Sequence, residues 1–161
     1  MRIISGLYRG RVLKSPADLK TRPTSDRLRE TLFNILNPRI TETTGFLDLC
    51  AGTGAIGIEA LSRGAEFITF VDKSRKSCGL IETNLDLLSI PENQTEVIKS
   101  EAIDFVKKSQ NSYDIVFFDP PYDEDYLEVS ACFGEMGSKL LNESGIFIAE
   151  HRSKSNLLDE I

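Results

Sequence analysis

Two short stretches of this 161-residue chain carry residue types that could do chemistry. One is Asp119-Pro120-Pro121-Tyr122. Consecutive prolines fix the backbone and remove two N–H donors. The Pro120 carbonyl can therefore be held beside the Asp119 carboxylate, as a pair of acceptors with no competing donor. A planar exocyclic amine, such as that of guanine or adenine, offers two N–H groups to such a pair. The nitrogen lone pair of that amine is delocalised into the ring and is a poor nucleophile. Two acceptors gripping its hydrogens favour a pyramidal nitrogen and turn the lone pair outward, so catalysis becomes positioning and electrostatics. Tyr122 adds a face on which a base can stack. The plainer alternative is a rigid surface turn.

The other stretch is Asp48-Leu49-Cys50-Ala51-Gly52-Thr53-Gly54-Ala55-Ile56-Gly57. Gly52, Gly54 and Gly57 satisfy G-x-G-x-x-G, in which glycines permit a tight turn and close approach of a ligand to the backbone. Asp72 follows 20 residues after Gly52, where a carboxylate can accept hydrogen bonds from both ribose hydroxyls of an adenosine-containing cofactor. Glycine-rich turns also arise for packing alone. NAD is the ordinary candidate for this spacing, but Asp48 would stand close to its pyrophosphate and repel it. S-adenosylmethionine carries no phosphate. Its sulfonium and ammonium are cationic, and Asp48 can attract that end.

The surrounding pattern supplies elements to position both stretches. Short apolar runs at Phe46–Leu49, Phe67–Val71, Thr95–Ile98, Tyr113–Phe118 and Ile146–Ala149 read as strands. Helical stretches near Ala55–Ser62, Ser74–Leu88, Ala102–Lys107 and Asp125–Leu140 lie between them. Strand–helix alternation implies right-handed β-α-β units, and near-continuous apolar strands imply a sheet covered on both faces. The expected fold is α/β, doubly wound around a mostly parallel sheet, with ligands at the carboxyl ends of the strands. Before it, Ile3–Leu13 reads as a small hairpin outside the main body. A helix follows from about Asp26 to Leu36, with Leu28, Leu32, Ile35 and Leu36 as its apolar stripe. Thr24 or Ser25 can cap that helix.

The formal net charge is −6. It is unevenly spread. Residues 1–39 hold nine basic and three acidic residues, net +6, and residues 40–161 hold ten basic and 22 acidic residues, net −12. The whole-chain value argues against a phosphate-backbone binder, whereas the partition marks residues 1–39 as a basic extension and 40–161 as an acidic body. Cys50, Cys78 and Cys132 show no C-x-x-C spacing, so neither a disulfide framework nor a zinc site is expected. No apolar run is long enough to span a membrane. A cytoplasmic location and no metal are the expectations.

Together, the glycine turn, Asp72 and Asp119-Pro120-Pro121-Tyr122 resemble the class I S-adenosylmethionine-dependent amino-methyltransferases. Arg2–Arg11, Thr21–Glu30 and Asp48–Ala65 narrow the resemblance to the RsmD family, which methylates the N2 amine of one guanine in bacterial small-subunit ribosomal RNA. The likeness runs over nearly all of the chain. It implies that Asp48, Ala51, Gly52, Thr53, Gly54, Asp72, Glu101, Ala102 and Asp119 line the cofactor pocket. It implies that Asp119, Pro120, Pro121 and Tyr122 hold the target amine. Arg9, Arg22, Pro23, Thr24 and Arg27 would lie near RNA or cofactor, although Arg22 and Arg27 are also plausible solvated charges at a helix start. The partner implied is ribosomal RNA or an assembling small subunit, met by a monomer. The family continues past the fifth strand into a helix and two more strands; this chain is expected to stop at Ile161 inside that helix, without the two strands.

Four other residues have bland readings: His151 as structural or peripheral, Cys50 as a small buried hydrophobe, and Lys107-Lys108 as a solvated helix end. Rival functions are a protein-glutamine or DNA amine methyltransferase and a non-catalytic RNA-binding module. Asp119 disfavours the glutamine enzymes, which generally carry Asn there. The chain is too short for the separate recognition domain usual in the DNA enzymes. The intact Asp119 and glycine turn disfavour the module.

Overall fold

The computed structural model describes residues 1–16, 26–120 and 123–150. Five parallel strands, β1 (Gly45–Leu49), β2 (Phe67–Asp72), β3 (Thr95–Lys99), β4 (Tyr113–Phe118) and β5 (Leu141–Ala149), lie in the order β3-β2-β1-β4-β5. The chain starts in the middle, winds outward to β3, and crosses back to β4 and β5. The order reverses between β1 and β4, and the carboxyl ends of those strands form the crevice where such sheets take ligands.

Helices α2 (Ala55–Ser62) and α3 (Arg75–Leu87) cover one face, and α4 (Ala102–Lys108) and α5 (Asp123–Leu140) cover the other. Every residue of α2 is buried, because the sheet lies on one side and the N-terminal segment on the other. A helix covered all round needs no polar face, which explains the uniformly apolar Ala55–Leu61 run apart from Glu59. At Gly57 the helix touches the sheet: a Cβ there would stand 2.4 Å from the Phe70 ring. Only glycine allows that approach.

Strand β5 begins earlier than its apolar run suggests. Tyr113 pairs with Leu141, but Ile115 pairs with Ile146, so residues 142–145 bulge between the two registers. Ser144 adopts φ 65° within the bulge, and Arg39 donates to its carbonyl at 3.1 Å.

The first sixteen residues pair as the expected hairpin: Arg2 bridges Val12 antiparallel, Ile3 N donates to Arg11 O at 2.9 Å, Gly10 N to Ile3 O at 2.8 Å and Leu13 N to Met1 O at 2.8 Å. The hairpin does not stand outside the body, however, but packs onto α2 and α3. Ile3 and Leu13 are buried in the main core, each worth about 1.5–3 kcal/mol relative to exposure. Glu59 of α2 accepts hydrogen bonds from Ile4 N at 2.8 Å and Ser5 N at 3.1 Å. Ser62 accepts from Leu7 N through its carbonyl and from Tyr8 N through its hydroxyl. On α3, the Asn84 side chain accepts from Lys14 N at 2.8 Å and donates to Lys14 O at 3.1 Å. Arg11 donates to Leu87 O at 2.9 Å.

Helix α1 (Asp26–Leu36) buries only half of the expected stripe, Leu36 and in part Leu32. Arg29, Phe33 and Leu36 point inward, Leu32 is half-buried, and Leu28 and Ile35 are exposed. The cause is a buried ion group that apolar periodicity does not register. Arg29 reaches Glu59, Asp26 and the Arg2 carbonyl, and Arg63 pairs with Glu59 at 2.9 Å while its guanidinium lies 5.0 Å over the Phe33 ring. Phe33 in turn stacks on Phe46 of β1.

Candidate active site

The glycine turn joins β1 to α2 at the carboxyl edge of the sheet. Cys50 leaves the strand with φ 67°, Gly52 follows at 57° and Gly54 at 81°. These left-handed conformations reverse the chain within a few residues. No heavy atom lies within 4 Å of where a Cβ on Gly52 would stand, so the turn is open to a ligand on that side. Cys50 is therefore half-buried at the mouth of a cleft, not a strand residue in the core.

The N–H groups of this turn are largely consumed within the protein. Ala51 N donates to Val71 O, Gly52 N to Asp72 Oδ2, Gly54 N to Ala51 O, and Ala55 N to Thr53 Oγ1. Gly57 N donates to Asp48 Oδ2 at 3.0 Å. A turn that binds pyrophosphate needs such groups free and aimed at the ligand. Here they hold carboxylates and carbonyls instead.

Asp48 departs from its expected part. It is 1% exposed, and its Oδ2 faces the helix backbone. Burial, opposed by the bond from Gly57 and reinforced by the Asp119 and Asp72 charges, holds its carboxyl well above the usual carboxylate range. A buried acid that resists ionisation shapes the turn and is a weak attractor of a cation.

Asp72 closes β2. Its Oδ2 accepts from Gly52 N and its Oδ1 from Ser74 N, both at 2.9 Å, which fixes the carboxylate in one orientation. Each oxygen keeps a lone pair for a hydroxyl. Beside it lies a cleft of about 450 Å³, open solvent included, walled by Cys50, Asp72, Lys73, Glu101, Ala102, Ile103, Glu128 and Val129. Its apolar lining suits a flat ring, and its carboxylates suit hydroxyls and cations. Three of the expected cofactor residues, Asp72, Glu101 and Ala102, meet in this cleft.

Asp119 follows β4 at the same edge, half-buried, its N–H 3.5 Å from Leu49 O. Burial first, and the Glu150 charge second, push its carboxyl up to about 6. Glu150 ends β5 next door and is itself raised by burial. The donor set around the crevice is thus predominantly anionic. It fits S-adenosylmethionine, with ribose and cationic groups but no phosphate, and does not fit a dinucleotide.

Asp119, Pro120 and the glycine turn share this edge. Arg9 does not. It sits on the loop that leans on Ser62 at the far end of α2, toward the amino ends of the strands. Arg27 is exposed on the first turn of α1. The expected residues Arg22, Pro23, Thr24, Pro121 and Tyr122 lie outside the described residues, as do His151 and the proposed caps Thr24 and Ser25. Lys107 and Lys108 are exposed in the last turn of α4. Sequence reading passed over Ile103, Glu128 and Glu150. The signal for Glu150 was available: like Asp72 and Asp119, it is an acid directly at the carboxyl end of an apolar strand. Among the described residues, no group of three or more His, Cys, Asp or Glu side chains could hold a metal ion, and no helix is long and apolar enough to cross a membrane.

The family model described as conserved hypothetical protein 95 matches residues 1–161. Among curated relatives, Ribosomal RNA small subunit methyltransferase D of Escherichia coli is 38% identical over 148 residues, covering 92% of this chain and 73% of that protein. The Haemophilus influenzae protein of the same name is 44% identical over 124 residues, covering 76% of this chain and 64% of its own length. The solved structure of the Escherichia coli yhhF protein superposes with a TM-score of 0.77 at 36% identity, covering 88% of this chain and 75% of that one. A solved Haemophilus influenzae structure gives a TM-score of 0.76 at 35% identity, covering 96% and 82%.

Proposed function

The chain belongs to the conserved hypothetical protein 95 family, the RsmD family, and from that premise we propose that it methylates the N2 amine of a guanine in bacterial small-subunit ribosomal RNA, using S-adenosylmethionine. One observation carries the choice of cofactor. The N–H groups of the glycine turn are largely occupied internally, and the adjoining cleft sets three carboxylates, Asp72, Glu101 and Glu128, against one lysine, Lys73. When bound, S-adenosylmethionine supplies an electrophilic methyl on a sulfonium, whose C–S bond breaks as the amine nitrogen's lone pair forms the new N–C bond.

The chain's own residues then have these parts. Asp72, locked by Gly52 N and Ser74 N, presents its remaining lone pairs to the ribose hydroxyls. Glu101 and Ala102 edge the adenine site, with Ile103 and Val129 as its apolar walls. Ala51, Gly52, Thr53 and Gly54 form the floor, and Asp48 holds that floor to α2 through Gly57. The Asp119 carboxylate and Pro120 carbonyl accept the two amine hydrogens and orient the lone pair. Near pH 7 the carboxylate is ionised, and with its pKa at about 6 it is basic enough to receive the proton the nitrogen gives up. Pro121 stiffens the loop, and Tyr122 offers a stacking face for the base.

Arg9 and Arg27, with Arg22, Pro23 and Thr24, are assigned to the RNA side. A structured RNA is broad enough to touch several sides of a protein this small, so Arg9 grips phosphate away from the crevice. The base must be splayed out or flipped to reach Asp119. Transfer of labelled methyl from S-adenosylmethionine to small-subunit particles and to naked small-subunit RNA, followed by mass mapping of the product, tests the proposal. Label on one guanine N2 is expected. Transfer to neither substrate, or label only on other atoms, would overturn it.

A further inference from the structure

Glu150 has no part in the scheme above, yet its position is closely defined. Strands β4 and β5 run in register with Phe117 opposite Ile148 and Phe118 opposite Ala149. The ladder continues one step further, where Glu150 N donates to Phe118 O at 2.9 Å. Asp119 and Glu150 are therefore the next residues on two neighbouring parallel strands, both half-buried at the carboxyl edge. The Glu150 charge is felt by Asp119. Among the described residues β4 is flanked by β1 and β5, and the residue that follows β1 at this level is Cys50.

The four bases differ in what lies beside the exocyclic amine. In guanine the neighbouring ring nitrogen, N1, carries a hydrogen. In adenine and cytosine the nitrogen beside the amine is a bare acceptor, and uracil has no amine. An amine-gripping acceptor pair alone does not separate guanine from adenine. A second carboxylate next to it does: it accepts N1–H from guanine and faces a lone pair in adenine or cytosine. We propose that Glu150 is the specificity-determining residue of this site, accepting guanine N1–H while Asp119 and the Pro120 carbonyl hold N2. This rests on the reading that Asp119 takes a guanine amine.

The test uses small-subunit RNA carrying guanine or 2-aminopurine at the modified position. 2-Aminopurine keeps the amine at C2 but has a bare N1. The unaltered chain is expected to favour guanine by about 10- to 100-fold in kcat/KM. Glu150→Gln, whose amide offers both an acceptor and a donor, is expected to lower the rate on guanine and bring the two substrates within about threefold of each other. Glu150→Asp keeps a carboxylate and is expected to keep the preference at a reduced rate. Equal rates on the two RNAs by the unaltered chain would overturn the inference without reference to any variant. So would an undiminished preference in a Glu150→Gln protein that melts like the parent. Absence of transfer to the guanine RNA would instead remove the guanine reading, and this inference with it.

Discussion

Asp48 accepts a hydrogen bond from Gly57 N at 3.0 Å while only 1% exposed. The bond ties the last residue but one of β1 to the first turn of α2 across the loop that the cofactor must approach. An acid that reads in the sequence as a charge offered to a ligand is in the fold an acceptor for the backbone.

Asp48→Asn should therefore be mild. The amide oxygen can accept from Gly57 N, and burial already works against the charged form of the carboxyl. Asp48→Ala leaves a buried N–H unpaired and should cost about 1–3 kcal/mol in urea unfolding, with weaker cofactor binding. Equal losses for both variants would show that the charge matters after all.

On the proposed reaction, Asp119 sets the pH dependence. With its carboxyl at about 6 in the ligand-free protein, kcat/KM should fall about tenfold per pH unit below 6 and level off above 7, because only the ionised form accepts both the amine hydrogen and the released proton. Stability runs the other way. A carboxyl raised on folding favours the folded state fully below the ordinary carboxylate range, and that contribution is lost as pH rises through 6. Melting of the ligand-free protein between pH 4 and 7 checks the sign, and Asp119→Asn should flatten that part of the slope. Asp119→Ala should abolish transfer and leave cofactor affinity within a few fold.

Gly57→Ala is expected to be among the costlier single-methyl additions. Its Cβ would meet the Phe70 ring at 2.4 Å and Ile68 at 2.8 Å, so α2 must lift from the sheet. A loss of about 1–3 kcal/mol is expected, together with weaker S-adenosylmethionine binding, since α2 carries the turn. Calorimetric titration alongside thermal melting measures both.

Glu59→Ala removes the acceptor shared by Ile4 N, Ser5 N and Arg63, and the partner of Arg29. Leaving Arg29 buried without that charge should cost about 3–5 kcal/mol. Amide exchange at Ile4 and Ser5 should rise with it. Protection that persists at those amides would mean the segment is held by Ile3 and Leu13 alone.

Most of the sheet was legible because β1, β2 and β4 are nearly continuous apolar runs with helices between them. Tyr113–Phe118 and Ala55–Ser62 match residue for residue. At the candidate site, the tight turn at Gly52 and Gly54 and the strand-end position of Asp119 were legible because glycine spacing and an apolar run mark them locally. What sequence could not show depends on pairs far apart in the chain. Leu28 and Ile35 look like core until Arg29 is seen to have Glu59 as a partner thirty residues away. The direction of Asp48 depends on Gly57 offering its N–H, and the company Glu150 keeps depends on the β4–β5 register. Cys50 reads as strand because nothing local announces its left-handed backbone.

The docking of residues 1–16 has a consequence for the order of events at synthesis. Lys14 is held by Asn84, 70 residues later, and Arg11 by Leu87, 76 residues later. At the usual pace of translation, that separation amounts to roughly four to fourteen seconds during which the beginning of the chain exists without the helices that seat it. Residues 1–16 must wait for α2 and α3 before they can settle, and they close the core over α2 from outside.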